Sequence, residues 1–115
     1  MTWGKLELES EVEKWFLGLN EEEQGRVQFY FDLLEEKGVL LDEPYTRQLR
    51  GKLRELRFYL GRERRRVTYF IATGRRIPML TVFRKTQRRE QREVDRAEKA
   101  MESWLGRQSK RKGRR

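Results

Sequence analysis

The fold is decided by the stretch from Leu56 to Phe83, LRFYLGRERRRVTYFIATGRRIPMLTVF. Three segments of this stretch predict strands. In residues 56–60, the apolar Leu56, Phe58 and Leu60 alternate with Arg57 and Tyr59. Residues 67–73 are rich in β-branched and aromatic residues, and residues 78–83 form a third apolar run. Each of the two intervening segments contains a glycine and supplies a short turn. Three strands with such short connections predict an antiparallel β-meander.

Toward the N-terminus, the sequence predicts one strand and two helices. Apolar and polar residues alternate over residues 5–9, which is typical of a half-buried strand. Ser10 stands three residues before Glu13, a capping-box pattern that opens a short helix. Asn20 is placed to cap a second helix, which ends at Gly38. The two helices together predict a helical hairpin.

Toward the C-terminus, the sequence predicts one long helix, whose apolar residues Val94, Ala97, Met101, Trp104 and Leu105 share a face. Periodicity fades over residues 39–50, which predicts a connecting loop. Residues 107–115 contain six basic residues and no apolar one, so they are expected to form a disordered basic tail. The predicted protein is a single α+β domain over residues 1–106, in the order β-α-α-β-β-β-α. Trp15, Phe31, Leu34, Leu56 and Phe58 are expected to form one core between the hairpin and the sheet.

Composition restricts the chemistry that this protein can perform. The 115 residues include 28 Lys and Arg against 19 Asp and Glu, and they contain no His and no Cys. Thiol chemistry, disulfides, thiolate or imidazole metal sites and a histidine general base are therefore excluded. No stretch approaches the ~20 apolar residues of a membrane span, and the first ten residues lack the pattern of a signal peptide. The sequence predicts a cytoplasmic protein.

Charge is divided unevenly along the chain. Residues 1–46 carry four basic and twelve acidic groups, whereas residues 47–115 carry twenty-four basic and seven acidic groups. This division predicts an acidic face and a basic face on one small body. The basic face is suited to a polyanion such as nucleic acid.

Basic side chains of the meander form the candidate site. Arg57 and Arg66 lie on neighbouring predicted strands and Lys85 follows the last strand, so strand pairing would bring three cations to one exposed face. Such a group would bind a phosphodiester and stabilise a dianionic transition state. The candidate substrate-binding residues are Arg54, Tyr69 and Arg84. Tyr69 would stack on a nucleobase if it, rather than its neighbour Phe70, faces the cleft. No metal or cofactor is predicted.

Short segments spread from Val12 to Trp104 form a recognisable series. The most specific are Glu55-Leu56-Arg57 and Phe83-x-Lys85-Thr86-Gln87, and the others include Val12-Glu13-x-Trp15-Phe16, the Gly38 and Pro44 loop, Arg66-x-x-Tyr69-Phe70 and Glu93-Val94-x-x-Ala97. In this order and spacing they resemble the RelE/ParE toxin superfamily of type II toxin–antitoxin modules, and specifically its phage-derived HigB-like branch.

The resemblance implies an α+β fold in which the helical hairpin packs on a twisted, mostly antiparallel sheet, and it also implies a function. Members of this superfamily include ribosome-dependent, metal-independent endoribonucleases (mRNA interferases), held inactive by an antitoxin that is often a helix-turn-helix protein. In these enzymes the 2′-hydroxyl of the substrate attacks the adjacent phosphate. By this resemblance, Arg57 and Arg66 are the phosphate and transition-state cations. Arg84 or Lys85 is then the group near the leaving oxygen, or the general base.

Two positions depart from the family pattern: the first, a missing histidine, leaves the proton acceptor open, and the second, a missing proline, changes only the start of the last helix. Thr81 stands where many relatives have a histidine, and residues 88–90 lack a proline that many relatives have. An alternative function is that of a ParE-like toxin that inhibits a protein target such as gyrase, or of an inactive phage-derived binding module. The three convergent cations favour the ribonuclease, since a protein-binding surface does not require them.

Overall fold

A computed structural model describes residues 2–86 and 90–112, with side chains up to residue 110. The elements are β1 (Lys5–Leu8), α1 (Ser10–Leu17), α2 (Glu21–Lys37), a 3₁₀ turn (Gly38–Leu40), β2 (Thr46–Arg50), β3 (Leu53–Leu60), β4 (Glu63–Tyr69), β5 (Arg76–Arg84) and α3 (Glu90–Lys112). Three parts of the sequence predictions lie outside this description: Gln87 of the last family segment, the missing proline at residues 88–89, and residues 113–115 of the tail. Among the described residues, no helix is long and apolar enough to cross a membrane.

The five strands form one sheet with the order β1-β5-β4-β3-β2. The predicted meander is its centre, because β3, β4 and β5 pair antiparallel with each other. β1 pairs parallel to β5 at one edge, and β2 pairs antiparallel to β3 at the other. The predicted α+β class and mostly antiparallel sheet are confirmed.

Each face of the sheet is covered by helices. On one face, α1 and α2 bury the predicted hairpin core, in which Phe31, Leu34, Leu56 and Phe58 are almost inaccessible to solvent. Trp15 packs against that core with its ring 6.3 Å from the ring of Phe58. On the other face, α3 buries the predicted apolar side chains Val94, Ala97 and Trp104 against Leu53, Phe70 and Leu80. Only the part of this second face beyond α3 is left for a site.

The helix termini agree with the sequence in two of three cases. Asn20 accepts a hydrogen bond from the Glu23 backbone N–H, and Glu23 accepts one from the Asn20 N–H, which is a capping box. Gly38 ends α2 with a φ of 53°, where a side chain would also collide with Trp3. The Ser10 cap was predicted wrongly, since the N-cap of α1 is Glu9. The Glu9 N–H donates to the Met79 carbonyl in β5, so the chain turns into the helix one residue earlier.

Three segments differ from the predicted elements. β2 occupies residues 46–50, where the sequence predicted a loop; it is an edge strand with charged, exposed residues, so no apolar alternation marks it. β4 begins at Glu63 rather than at Val67, because the pairing with β3 continues to the tight turn at residues 61–62. α3 continues to Lys112, so residues 107–112 of the predicted disordered tail are helical.

Candidate functional site

Strand pairing brings Arg57 and Arg66 together. They are direct partners in the β3–β4 ladder, beside the pair formed by Leu56 and Val67. Paired residues project to the same side of a sheet, and successive residues project to opposite sides. Since Leu56 and Val67 belong to the hairpin core, Arg57 and Arg66 lie on the opposite face, where α3 leaves the sheet uncovered.

A buried carboxylate, Glu55, lies between these two guanidinium groups. Its Oε2 atom is 3.5 Å from Arg66 Nε and 3.7 Å from Arg57 Nε. Burial raises the pKa of Glu55, and the charges of Arg66 and Arg57 oppose this rise. Burial also lowers the pKa of Arg66, against the attraction of Glu55. The three groups therefore form an ion cluster held in a poorly solvated environment.

The exposure of Arg66 corrects the prediction made from sequence. Arg66 was expected on an exposed face, but the residue is 4% exposed and Glu55 is 1% exposed. β4 lies between β3 and β5, so Arg66 is flanked by Arg57 on one side and Phe83 on the other. Within the described residues, Glu55 Oε1, Arg57 Nε and Arg66 Nε are buried without a hydrogen-bond partner. Two donor groups and one acceptor group beside the ion pairs thus lack a hydrogen-bond partner.

Lys85 joins the same cluster through Glu90. Its Nζ atom is 2.8 Å from Glu90 Oε2 at the start of α3, and its backbone N–H bonds to the Arg64 carbonyl. The hydrogen bond from Lys85 lowers the pKa of Glu90, and the charges of Arg47 and Arg66 lower it further. Because the Lys85 ammonium donates to Glu90, it offers no lone pair to accept a proton.

Sequence reasoning missed four members of this site: Arg47, Glu55, Arg64 and Glu90. Arg47 pairs with Glu55 across the β2–β3 ladder and was hidden because β2 was not predicted. Arg64 fell in a segment predicted as a turn, although it pairs with Tyr59 in β3. Glu55 was visible as part of the Glu55-Leu56-Arg57 segment. We call the cations Arg47, Arg57, Arg64, Arg66 and Lys85, with the carboxylates Glu55 and Glu90, the basic cluster.

A cavity of about 310 Å³ opens beside the basic cluster. It is lined by three basic residues, Arg57, Arg64 and Arg66, and by Tyr30, Pro44, Tyr45, Phe58 and Tyr59. The Arg57 side chain is 27% exposed, so it is the more accessible of the two central guanidinium groups. An anionic ligand would meet Arg57 and Arg64 first.

Tyr69 and Arg54 do not belong to the basic cluster. Tyr69 is 1% exposed and lies in the hairpin core, while its neighbour Phe70 is equally buried under α3 against Trp104. Neither ring therefore reaches an open cleft, because helices cover both faces of the sheet at residues 69 and 70. Arg54 pairs with Tyr69 and donates to its hydroxyl oxygen, which places Arg54 on the hairpin face.

Arg84 is also separated from the cluster. It pairs with Arg65 across the β4–β5 ladder, one register position away from the pair of Arg66 and Phe83. Its side chain therefore projects to the hairpin side, where it forms an exposed ion pair with Glu63 at 2.8 Å. Lys85, rather than Arg84, lies near the central arginines.

The basic cluster can bind a phosphodiester and move a proton. Its five cations outnumber its two carboxylates, so a net positive charge is left for a phosphate. Guanidinium groups can make two parallel hydrogen bonds to phosphate oxygens. A buried carboxylate with a raised pKa is suited to accept a proton from a hydroxyl group. In the described part of the chain, no group of three carboxylates could hold a metal ion.

A larger cavity of about 800 Å³ lies at the other end of the sheet, beside the end of α3. Arg76 lines it together with Trp104, and its guanidinium lies 4.7 Å from the centre of the Trp104 ring. Glu7 accepts two hydrogen bonds from this guanidinium, at 2.5 and 2.9 Å. The charge of Arg76 is therefore already neutralised, unlike that of the basic cluster.

Comparison with known proteins gives a family and a fold. The model of the family described as "Phage derived protein Gp49-like (DUF891)" matches residues 14–102. No curated protein matches the chain. The chain is also similar to a solved structure of the Escherichia coli toxin RelE, a double arginine-to-alanine mutant in the free state. The similarity covers 90% of this chain and 98% of the RelE chain, with a TM-score of 0.58 and 15% sequence identity. The RelE-type fold implied by the sequence segments is thus confirmed.

Proposed function

The chain belongs to the phage-derived Gp49-like family, and we propose that it is the toxin of a type II toxin–antitoxin module that cuts mRNA on the ribosome. The observation that carries this proposal is the basic cluster, in which Arg57 and Arg66 flank the buried carboxylate of Glu55 at 3.7 and 3.5 Å. An RNA-cleaving site needs cations for the phosphate and a group that accepts a proton. Both are present on one sheet face.

In the proposed reaction, the 2′-oxygen of the substrate attacks the adjacent phosphorus and the bond from phosphorus to the 5′-oxygen breaks. The products are a 2′,3′-cyclic phosphate and a 5′-hydroxyl, so no covalent protein intermediate forms. Arg57 and Arg66 stabilise the additional negative charge of the pentacovalent transition state. In the resting protein these two guanidinium groups neutralise Glu55, and a bound phosphate would share them.

Proton transfer is assigned to Glu55 and Lys85. Glu55 accepts the proton of the 2′-hydroxyl, since its burial raises its pKa and makes it a stronger base than an exposed carboxylate. Lys85, whose ammonium donates to Glu90 in the resting protein, supplies the proton that the leaving 5′-oxygen needs. Arg84 has no role in this scheme, because it lies on the other side of the sheet. Neither does Tyr69, which is buried in the hairpin core.

The proposed partners are mRNA, the ribosome and a cognate antitoxin, which we expect to be a helix-turn-helix protein, and the proposed location is the cytoplasm. An antitoxin would neutralise the toxin by covering the basic cluster with an acidic segment. Co-expression with the product of an adjacent reading frame should therefore relieve any growth arrest. One observation favours the alternative function, a ParE-like inhibitor of a protein target or an inactive binding module. Arg66 is 4% exposed and already paired with Glu55, so it is less accessible to a phosphate than an exposed arginine would be.

The test is primer extension on an mRNA bound to ribosomes, with purified wild-type protein and with variants. We expect new 5′ ends with the wild type, loss of cleavage by a factor of about 10² or more with Arg57→Gln and Glu55→Gln, and unchanged cleavage with Lys99→Ala. Lys99 is an exposed residue of α3 and serves as a control for loss of one positive charge. Growth arrest by the wild type without new mRNA ends would favour the protein-target alternative.

A further inference from the structure

Exposed aromatic rings line the protein beside the basic cluster. Phe29 is 61% exposed, Tyr59 is 59% exposed and Tyr45 is 40% exposed. Tyr30 lies among them, stacked on the buried Phe58 with ring centres 5.1 Å apart and an angle of 14° between the planes. It touches the ring of Phe29 edge to face at 5.2 Å and lies 6.5 Å from the ring of Tyr45. One ring packed on the core thus holds two exposed rings in place.

Two cavities join this aromatic surface to the basic cluster. The cavity of about 310 Å³ beside Arg57 and Arg64 includes Tyr30 and Tyr59 in its wall. A neighbouring cavity of about 390 Å³ shares the same two tyrosines and is completed by Glu22, Gly25, Arg26 and Phe29. The two cavities are therefore adjacent, and together they form one surface from Phe29 to Arg57 with Tyr30 and Tyr59 at its centre. We call it the aromatic groove.

Strand pairing explains why the aromatic groove is open. β2 begins at Thr46, which pairs with Leu56, so the described part of the chain provides no paired strand beside residues 58–60 at this edge of β3. The Arg57 N–H still bonds to the Tyr45 carbonyl, which fixes the loop before β2 against the end of the groove. Tyr59 pairs with Arg64 and lies two residues beyond Arg57, on the same sheet face. Its ring is therefore adjacent to the site proposed for the phosphate.

The chemistry of the groove selects its ligand. Four arginines line it, Arg26, Arg57, Arg64 and Arg66. Three carboxylates lie beside them: Glu22 is 3.7 Å from Arg26, Glu43 is 3.9 Å from Arg57, and Glu55 lies against Arg57 and Arg66. An anionic partner is favoured over a neutral or basic peptide by this excess of cations. Aromatic rings interleaved with cations are typical of single-stranded nucleic-acid sites, where unpaired bases stack on the rings and phosphates contact the cations. A duplex would not fit, because its bases are already stacked.

We propose that the aromatic groove binds unstacked bases of single-stranded RNA next to the phosphate held by the basic cluster, with Tyr59 and Phe29 as the stacking platforms. This inference rests on the proposed function, since it assumes that RNA is the substrate. It adds a base-binding surface formed by α2 and β3, which none of the candidate residues from the sequence included. The groove would position the RNA strand without reading its sequence, because every base has an aromatic face.

The experiment measures binding by fluorescence anisotropy without ribosomes. The probes are a labelled ten-nucleotide 2′-O-methyl RNA, which lacks the attacking hydroxyl and stays intact, and an abasic phosphodiester of equal length. Tyr59→Ala and Phe29→Ala should each weaken binding of the 2′-O-methyl RNA by about tenfold, the typical loss for one stacked base. Tyr59→Phe keeps the ring and should bind like the wild type. Leu17→Ala is the matched control, since Leu17 is 67% exposed and lies outside the walls of the groove.

The outcomes separate this inference from the proposed function. Stacking is supported if the alanine variants lose affinity for the 2′-O-methyl RNA while their affinity for the abasic strand equals that of the wild type. It is overturned if both variants bind the RNA like the wild type, or if the wild type binds both probes equally. An absence of RNA binding also overturns it. If stacking is found but ribosomes show no mRNA cleavage, the inference stands and the ribonuclease proposal fails.

Discussion

The most informative perturbation is Arg66→Ala, because it separates the buried ion cluster from an ordinary surface ion pair. Arg66 is 4% exposed, and its Nε is 3.5 Å from Oε2 of Glu55, which is 1% exposed. At this distance and an effective dielectric constant of about 20, the attraction between unit charges is about 5 kcal/mol. Arg66→Ala removes that attraction and leaves the carboxylate buried.

The expected loss of unfolding free energy is smaller than the full attraction. Removing one partner of a buried ion pair typically costs about 3–5 kcal/mol. Arg57 remains near Glu55, with its Nε 3.7 Å from Oε2, and Glu55, whose pKa is already raised by burial, can take up a proton. We therefore expect a loss of about 2–4 kcal/mol, a large part of the ~5–15 kcal/mol that stabilises a typical domain.

Urea unfolding followed by circular dichroism measures this loss, and a double-mutant cycle assigns it. In a Glu55→Gln background, Arg66→Ala should cost at least about 1 kcal/mol less than in the wild type, since the carboxylate is gone. Arg84→Ala is the matched control: Arg84 is also a strand arginine, with a 2.8 Å ion pair to Glu63, but its side chain is 58% exposed. It should cost less than about 1 kcal/mol. Equal losses for Arg66→Ala and Arg84→Ala would refute the reasoning.

Three further predictions concern the core, the pH dependence and the ribosome. Phe31→Ala should lower the unfolding free energy by about 3–5 kcal/mol, because Phe31 is 2% exposed and its ring lies 5.8 Å from that of Phe16; an unchanged melting midpoint would remove it from the core. Burial raises the pKa of Glu55 above its usual 4.5, so the carboxyl group binds its proton more tightly in the folded than in the unfolded state. The free energy of unfolding of the wild type should therefore fall as the pH rises from 4.5 through the raised pKa. Urea unfolding at several pH values measures this: the unfolding free energy of Glu55→Gln should increase relative to that of the wild type as the pH rises. A difference between the two proteins that does not change with pH would contradict the prediction. Ribosome co-sedimentation should fall steeply between about 50 and 200 mM salt, because phosphate contacts release counterions, and retention insensitive to salt would indicate a protein target.

Part of the site could be predicted because strand alternation and turn positions are local. The turn between residues 60 and 67 sets the β3–β4 register closely enough to place Arg57 beside Arg66, as the structure does. Burial could not be predicted in the same way. The near-complete burial of Arg66 results from the side chains that β3 and β5 place around it, Glu55, Arg57 and Phe83, and the strand pattern alone does not show how closely these side chains pack.

Tyr69 shows a second limit of sequence reasoning. The alternation of side chains along the strand left open whether Tyr69 or Phe70 faces a cleft. The prediction also assumed that one face of the sheet is free of helices at this position. The structure places α1 and α2 over Tyr69 and α3 over Phe70, so neither ring is free. The exposed rings belong to Tyr59 and Phe29 instead. Tyr59 lies on β3 beyond the part that β2 pairs with, and nothing in the five residues of β2 indicates that this strand is short.

The sequence by itself determined the meander, the hairpin, the apolar face of α3 and the concentration of basic residues after residue 46, because each depends on the order of neighbouring side chains. Only the tertiary structure decided that Glu55 lies between Arg57 and Arg66, that Lys85 rather than Arg84 joins them, and that an open strand edge carries exposed aromatic rings. These features depend on which side chains meet on one face of the sheet and on which faces the helices cover. Tertiary packing sets both, and no local pattern records it.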